Sequence, residues 1–472
     1  MTDHTSTSLG EFSPRDLQIL KRLERLPFGR PQIHLLFMGG LGYTFDGMDG
    51  ALIAFVMAPV MLLWGPTNAQ TGFLGSAGML GYLFGAFAAG TLGDQIGRRR
   101  VMMYALFLYA AATLFAACAP NWPFLFWSRT ITGIGIGAES AIVAPFLSEF
   151  VQKRIRGRFI ASLSGFFSFG FFFAAMLGYF VVRGSPQGWR IAQVITALPI
   201  VMLLWWRRCL PESPRWLLQR GRPEEAEKVV AGMEASFIRR GVTLDDFEKV
   251  EMPASGAGQA GTFLQNLASL WTRRMARTTA MLWILWFTIT FAYYGFLTWI
   301  PTLLVKQGMT ITRSFGYSLI IYVAMIPGYY SAAFICDKLD RKWTIVLYLL
   351  LGGVLAYFLA GARTGAMISL LGFWLSFFMN GTYSGIYAYT PELYPTAFRA
   401  TGMGVASSVG RIGGLSAPII IGFSYAHIGF YGVLLICGID LLVGACAVAI
   451  LGIRTAGKSL EQIALAGMGA KL

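Results

Sequence analysis

Six ionisable side chains fall inside long apolar stretches: Asp46, Asp49, Arg129, Glu139, Arg411 and Asp440. A charge at membrane depth is costly and is kept where it binds a proton, an ion or a charged ligand. Asp46 and Asp49 stand at i and i+3, so on a helix they share one face. A carboxylate placed there can take up and release a proton, or neutralise a buried cation. Arg129 is the cation whose depth matches. Glu139 follows ten residues later, about 15 Å further along a helix. It has no basic residue at its own depth, which makes it either a proton carrier or a neutral acid hydrogen-bonded to the first or fifth helix. Arg411 lies in Ser407-Ser408-Val409-Gly410-Arg411-Ile412-Gly413-Gly414, where glycines let other groups approach. Its planar fork matches a carboxylate, or else it pairs with an acid elsewhere. Asp440 reads as structural. If these charges drive a mechanism, Asp49, Glu139 and Arg411 face a cleft between two bundles.

No residue set suggests catalysis or a resident metal. His4, His34 and His427 fall in no ligand pattern, and Cys118, Cys209, Cys336, Cys437 and Cys446 show no CxxC spacing. No cofactor is expected beyond a proton as coupling ion.

The elements that carry these residues are membrane helices. The 472 residues are 56% hydrophobic and 13% charged, against roughly 25% charged in soluble domains. Apolar runs of about 20 residues suit a hydrocarbon core of about 30 Å. Twelve spans are expected at about 31–57, 70–92, 101–120, 122–146, 158–182, 189–208, 278–304, 312–336, 343–361, 366–390, 400–425 and 428–452. They form an all-α membrane protein of two six-helix bundles, 31–208 and 278–452. A polar N-terminal segment (1–30), a linker with short helices (209–277) and a tail (453–472) complete the chain. Within the linker, Pro223 to Phe237 reads as a short amphipathic helix with acids in its first turn. A second helix is expected near Phe263–Trp271.

The net charge of +15 is a topology signal rather than a nucleic-acid footprint. With both termini in the cytoplasm, the inner loops hold most of the Lys and Arg, including Arg98–Arg100, Lys153, Arg154, Lys458 and Lys471. The outer loops hold Arg183, Arg190, Lys306, Arg313 and Arg363. The polar, charged first 30 residues give no expectation of a secretory signal peptide, and the N-terminus should stay in the cytoplasm.

The two halves echo each other. Gly93-Asp94-Gln95-Ile96-Gly97-Arg98-Arg99 follows the second span and Cys336-Asp337-Lys338-Leu339-Asp340-Arg341-Lys342 the eighth. Glu149 with Arg156-Gly157-Arg158 follows the fourth span, and Glu392 with Arg399-Ala400-Thr401-Gly402 the tenth. Such repetition marks parallel repeats with a substrate site near midplane between them. The charges suit a cytoplasmic gate of weak exposed pairs acting together. Its candidates are Asp94, Arg98, Arg99, Glu149, Arg156, Glu212, Arg215, Asp337, Arg341, Glu392 and Arg399.

The Gly93-Asp94-x-x-Gly97-Arg98-Arg99 run resembles the signature between helices 2 and 3 of major facilitator transporters. Pro211-Glu212-Ser213-Pro214-Arg215 is similar to the PESPR element of sugar porters, and Arg129-x-x-x-Gly133-x-Gly135-x-Gly137 to the superfamily's helix 4 motif. The tail, Ile453 to Ser459, departs from the sugar-porter PETKG pattern. Phe45-Asp46-Gly47-Met48-Asp49 resembles the FGYD-like element of sugar porters and the DGxD element of aromatic-acid symporters. The resemblance implies that a first-span acid pairs with Arg129 and takes up the coupling proton. A protonated Asp49 would then release Arg129.

Sugars need many hydrogen-bond partners. The fifth span, Ser162 to Phe173, and the seventh, Trp283 to Gly295, have no glutamine and are aromatic with sparse hydroxyls. Candidate lining groups are Trp286, Tyr293, Tyr294, Asn380, Tyr383 and Tyr387 beside Arg411; Trp374, Phe378 and Tyr389 are further aromatics of the tenth span. Such a cavity suits a flat ring. The whole pattern is most similar to bacterial niacin transporters and aromatic-acid/proton symporters, relatives of the organic-cation transporters. It implies proton-coupled import of a small planar carboxylate such as nicotinate, with a sugar, cyclitol or organic cation as the alternative. A non-transporting receptor is a poorer reading, because Asp46, Asp49 and Glu139 are retained. An enzyme lacks a nucleophile–base set.

Overall fold

A computed structural model describes residues 13–244, 246, 263–273, 275–395 and 398–455. Lys458 and Lys471, the tail after Thr455, His4, and the side chains of Asp94, Lys153, Arg154 and Asp337 lie outside the described residues. The spans are Arg30–Trp64, Asn68–Ile96, Arg98–Ala117, Trp122–Ser148, Lys153–Phe180, then Ala276–Lys306, Ile311–Val323 continued by Met325–Leu339, Arg341–Ala360 and Gly365–Leu393. The run Arg399–Leu451 is two helices meeting at Gly429, whose φ of 60° breaks the helix. The sixth span is not one helix. It runs Gly188–Thr196, a 3-10 turn Leu198–Val201 and Met202–Cys209, interrupted where Pro199 removes a donor. That makes twelve crossings.

Several ends follow from local chemistry. Thr67 caps the second span by accepting from the Gln70 amide, and Asn121 caps the fourth by accepting from the Phe124 amide. The first span runs through Pro59 to Trp64 and stops at Gly65, with φ of 57°. It is longer than the proline suggests, since membrane helices tolerate internal proline.

The echo between the halves is conformational. Gly97 (φ 101°, ψ 144°) turns the chain between spans 2 and 3, and Asp340 (φ 82°, ψ 145°) does so between spans 8 and 9. Asp340 is the only positive-φ residue other than glycine among the described residues. Its Oδ1 accepts from the Lys342 amide at 3.1 Å, which offsets part of the strain. The next residue of each turn pairs with the acid ending the neighbouring span: Arg98 with Glu149, and Arg341 with Glu392 at 3.0 Å. Each pair stays within one half. These two pairs tie turns to spans inside each bundle. Glu212 accepts from the Arg99 amide at 3.2 Å and lies over Gly97, where a Cβ would meet its Oε2 at 2.6 Å. Ser213 donates to Glu149. Arg215 and Arg156 approach Glu24 at 3.5 and 3.9 Å, and Arg399 donates to the Tyr394 carbonyl at 3.1 Å.

The linker divides between the halves. An N-terminal helix, Pro14–Glu24, buries Ile19, Leu20 and Leu23, and Pro223–Ile238 buries Ala226, Val230, Met233 and Phe237 in the same apolar cluster. Arg22 bridges Glu227 at 3.0 Å and Glu234 at 2.6 Å, and Arg25 bridges Glu234 at 2.6 Å. The second linker helix, Phe263–Leu270, packs on the other half: Thr279 donates to the Leu270 carbonyl, and the Trp271 and Trp283 rings meet edge to face. Burial pushes the Glu234 carboxyl up, but hydrogen bonds from Arg22 and Arg25 outweigh it and hold the group below the usual glutamate range. A depressed carboxylate stabilises above its unfolded pKa, about 4.3, and that stability is lost as pH falls through the folded value. Protection of the amides over Pro14–Glu24, taken relative to the intrinsic exchange rate at each pH, should therefore be high at neutral pH and be lost as pH falls below the usual glutamate range. Glu234→Gln loses that protection at neutral pH.

The halves meet along seams that begin at the end away from the basic loops and, on spans 5 and 8, reach inward to Gly165, where a Cβ would lie 2.8 Å from the Tyr330 hydroxyl. Spans 2 and 11 run antiparallel. A Cβ on Gly72 would lie 2.5 Å from the Pro418 carbonyl, Ser76 donates to the Leu415 carbonyl at 2.7 Å, and a Cβ on Gly414 would lie 3.2 Å from Met79. Spans 1 and 8 join through Phe55, whose ring is 5.1 Å from Phe315 and 5.4 Å from Tyr322. Lys306 donates to Asn68 at the rim.

Candidate functional site

The first-half charges form a buried polar cluster. Arg129 Nη1 donates to Asp49 Oδ1 at 2.8 Å, and its Nη2 to the Asp49 carbonyl at 2.8 Å. Thr196 on the sixth span and Thr113 on the third donate to the same Oδ1 at 3.2 and 3.5 Å. Asp49 is fully buried and Arg129 nearly so. The pair expected between spans 1 and 4 is thus present, and its hydroxyl partners come from spans 3 and 6. Taking both charges out of solvent costs several kcal/mol each, which good geometry and added hydrogen bonds must offset.

Asp46 sits one turn before Asp49 on the same face and accepts from Ser140 Oγ at 3.0 Å; its Oδ1 has no partner. Glu139 is fully buried with both oxygens unpartnered. It fits against the first span only because residue 42 is glycine: a Cβ there would meet Glu139 Oε1 at 2.4 Å. Trp206 of the sixth span lines the same spot, 3.3 Å from that Cβ position. No hydrogen bond from the first or fifth span to Glu139 is seen among the described residues.

This placement corrects the expectation that Asp49 and Glu139 face the cleft. Their neighbours belong to spans 1, 3, 4 and 6, all of the first half. The i, i+3 face carrying Asp46 and Asp49 points at span 4, where Arg129 is the buried cation that meets it among the described residues.

Arg411 does lie between the halves. Its Nη2 donates to the Tyr82 hydroxyl at 3.0 Å, and its guanidinium covers the Tyr82 ring at 4.1 Å. The flanking glycines act as expected. Cβ atoms on Gly410 and Gly413 would stand 3.1 Å from the Trp286 carbonyl and 2.6 Å from the Phe287 carbonyl, so span 11 lies close on span 7. Around the guanidinium, the phenols of Tyr294, Tyr383 and Tyr387 are near enough to interact with its charge.

Those rings form one cluster. Tyr293 meets Tyr294 at 5.4 Å and Tyr383 at 5.0 Å; Tyr383 stacks on Tyr387 at 6.4 Å; Trp286 meets Tyr387 at 5.3 Å. Tyr383 donates to Thr290 and Trp286 to Thr390, each at 3.0 Å. Asn380 stands apart, donating to its own helix at the Ser376 carbonyl at 3.0 Å. Trp374 and Phe378 turn outward with Phe377, against Tyr348 of the ninth span. Asp440 is half-buried against span 7.

Tyr82 and Phe171 escaped sequence reasoning. Phe171 spans the halves, 5.7 Å from Tyr293 and 6.1 Å from Tyr322. The signal for Tyr82 was a phenol in a glycine-rich span: Gly81, Gly85, Gly133 and Gly137 let spans 2 and 4 touch backbone to backbone, leaving Tyr82 as the side chain with a polar tip.

The family described as sugar (and other) transporters matches residues 39–466. The chain is 40% identical over 450 residues to the niacin transporter of Acinetobacter baylyi, covering 95% of this chain and 100% of that one. It is 33% identical to a Bacillus subtilis chain named for niacin/nicotinamide transport, over 91% of this chain and 98% of the other. In fold it is similar to the xylose transporter of E. coli in a partially occluded inward open conformation. The TM-score is 0.73 at 16% identity, covering 91% of this chain and 99% of that chain. Twelve crossings in two echoing halves, a buried acid–arginine pair and these likenesses agree: the chain is a secondary transporter that belongs to the sugar (and other) transporter family of the major facilitator superfamily.

Proposed function

We propose that the chain is a proton-coupled importer of a small planar carboxylate, with nicotinate the leading substrate, working by alternating access in a bacterial inner membrane as a monomer. One observation carries the substrate class: Arg411, between the halves, is ringed by phenols and has no carboxylate partner described beside it. A planar acid satisfies the fork and stacks its ring on the aromatic wall. A cationic substrate would meet a like charge, and a polyol would find too few amides. The relatives named for niacin support the same reading.

With the basic loops assigned to the cytoplasm, the seams seal the outer side and the cleft opens inward. The repeated pairs Arg98–Glu149 and Arg341–Glu392 would then exchange partners across the halves when the inner side closes. For coupling, a proton on Asp49 loosens Arg129 from its only carboxylate. Because this pair is enclosed in the first half, the proton acts by reshaping that bundle and not by touching substrate. Asp46 and Glu139 supply a second protonatable site one turn deeper.

A thermal-shift panel on the purified protein tests the substrate class. Nicotinate and benzoate should stabilise saturably, by about 2.7 kcal/mol at a hundredfold excess over Kd. Nicotinamide, xylose and a quaternary amine should not. Stabilisation by the sugar or the amine alone overturns the reading.

A further inference from the structure

Arg411 is not only a candidate ligand group; it is also the last rung of a seam. Along spans 2 and 11 the contacts step regularly from Gly72 with Pro418, through Ser76 with Leu415 and Met79 with Gly414, to Tyr82 with Arg411. One and two turns further toward the basic loops, Ser408 and Gly404 are exposed, and a Cβ on Gly404 would meet nothing within 4 Å. The seam ends at the guanidinium.

Both partners are fixed by their backbones. A Cβ on Gly81 would stand 1.8 Å from the Thr130 carbonyl, and one on Gly137 2.3 Å from the Tyr82 carbonyl, so Tyr82 is carried rigidly by the first half. Arg411 is carried by the second half through its glycine contacts with span 7. Neither side chain is fully buried. The phenol therefore occupies one edge and one face of the guanidinium only while the halves are together at this level.

We propose that Tyr82 holds the carboxylate position of Arg411 in the empty transporter, and that a bound carboxylate displaces it and releases the last rung. The proposal rests on Arg411 being the substrate anchor. The chemistry favours exchange: a carboxylate accepts two charge-assisted bonds from the fork, whereas the neutral phenol accepts one. Occupancy then reads directly as a weaker hold between spans 2 and 11, at the point from which the outer seal would open. Substrate thereby lowers the barrier to the outward-facing state, which a transporter needs for exchange.

Tyr82→Phe keeps the ring and removes the competing hydroxyl. Titrated calorimetrically with nicotinate, the full-length variant should bind about tenfold more tightly than the parent. In proteoliposomes its half-saturation concentration should fall while maximal exchange does not rise. An unchanged or weaker Kd in a variant with parental melting temperature overturns the proposal, because the phenol then either does not compete or itself binds substrate. Arg411→Lys, titrated in parallel, separates the two readings. If it binds nicotinate as the parent does, or the parent binds none, the anchor reading fails and the latch with it. If Arg411→Lys weakens binding and Tyr82→Phe does not tighten it, the anchor stands and the latch alone is wrong.

Discussion

Arg411→Ala should abolish measurable nicotinate binding while leaving a folded transporter. The guanidinium would give a carboxylate two charge-assisted hydrogen bonds, each worth about 1.5–3 kcal/mol, so its loss raises Kd at least a hundredfold. Stability should change little. Arg411 is half-buried, its described contacts are the Tyr82 hydroxyl and ring with nearby phenols, and among the described residues no acid pairs with it. Arg411→Lys keeps the charge but loses the planar fork and should fall between the two. Calorimetry with nicotinate distinguishes these cases, and a parental Kd in the alanine variant would remove Arg411 from the site.

The second large effect is expected of Asp49→Asn. The carboxamide fills the same space and can still accept from Thr196, but Arg129 is left as a buried charge without its counterion. Breaking a buried pair in this way costs about 3–5 kcal/mol of stability. Binding should survive, because no described contact joins Asp49 to the Arg411 cluster. Proton-driven accumulation should be lost, because the variant has no proton to gain at this position. Proteoliposomes report both quantities: counterflow of labelled nicotinate continues, whereas uptake against a gradient under an imposed pH difference falls to the passive level. Accumulation that persists would transfer coupling to Asp46 or Glu139.

Most of the architecture was legible because membrane helices announce themselves. Apolar runs and basic loops located all twelve crossings. The spacing of Asp46, Asp49 and Arg129 gave the buried pair, since depth along a helix follows from residue count. The glycine run around Arg411 correctly implied close packing. What was not legible was rotation about each helix axis. Nothing in the order of residues says that Asp49 and Glu139 turn into their own bundle while Arg411 turns between the two. That depends on which neighbours offer a glycine, as Gly42 does for Glu139. Asn380 looked like a ligand by type, yet its amide nitrogen donates to its own helix. The sixth span read as one helix because its middle, 194–206, is almost wholly apolar. The break at Ala197–Val201 needed more weight on Pro199. The charged loops gave candidate groups, but order alone does not say which of them pair, as Arg98 does with Glu149 and Arg341 with Glu392.

The split allegiance of the linker bears on how the molecule can be divided. Pro223–Ile238 rides with the first bundle under the N-terminal helix, and Phe263–Leu270 rides with the second. The only covalent strap between the two moving bodies therefore starts near Gly241, not where the sixth span ends. Two-fragment complementation should cut between Gly241 and Phe263. A cut at Cys209 would send Pro223–Ile238 away with the wrong fragment and strip the cover from Ile19, Leu20 and Leu23, inviting aggregation of pieces that would otherwise reassemble.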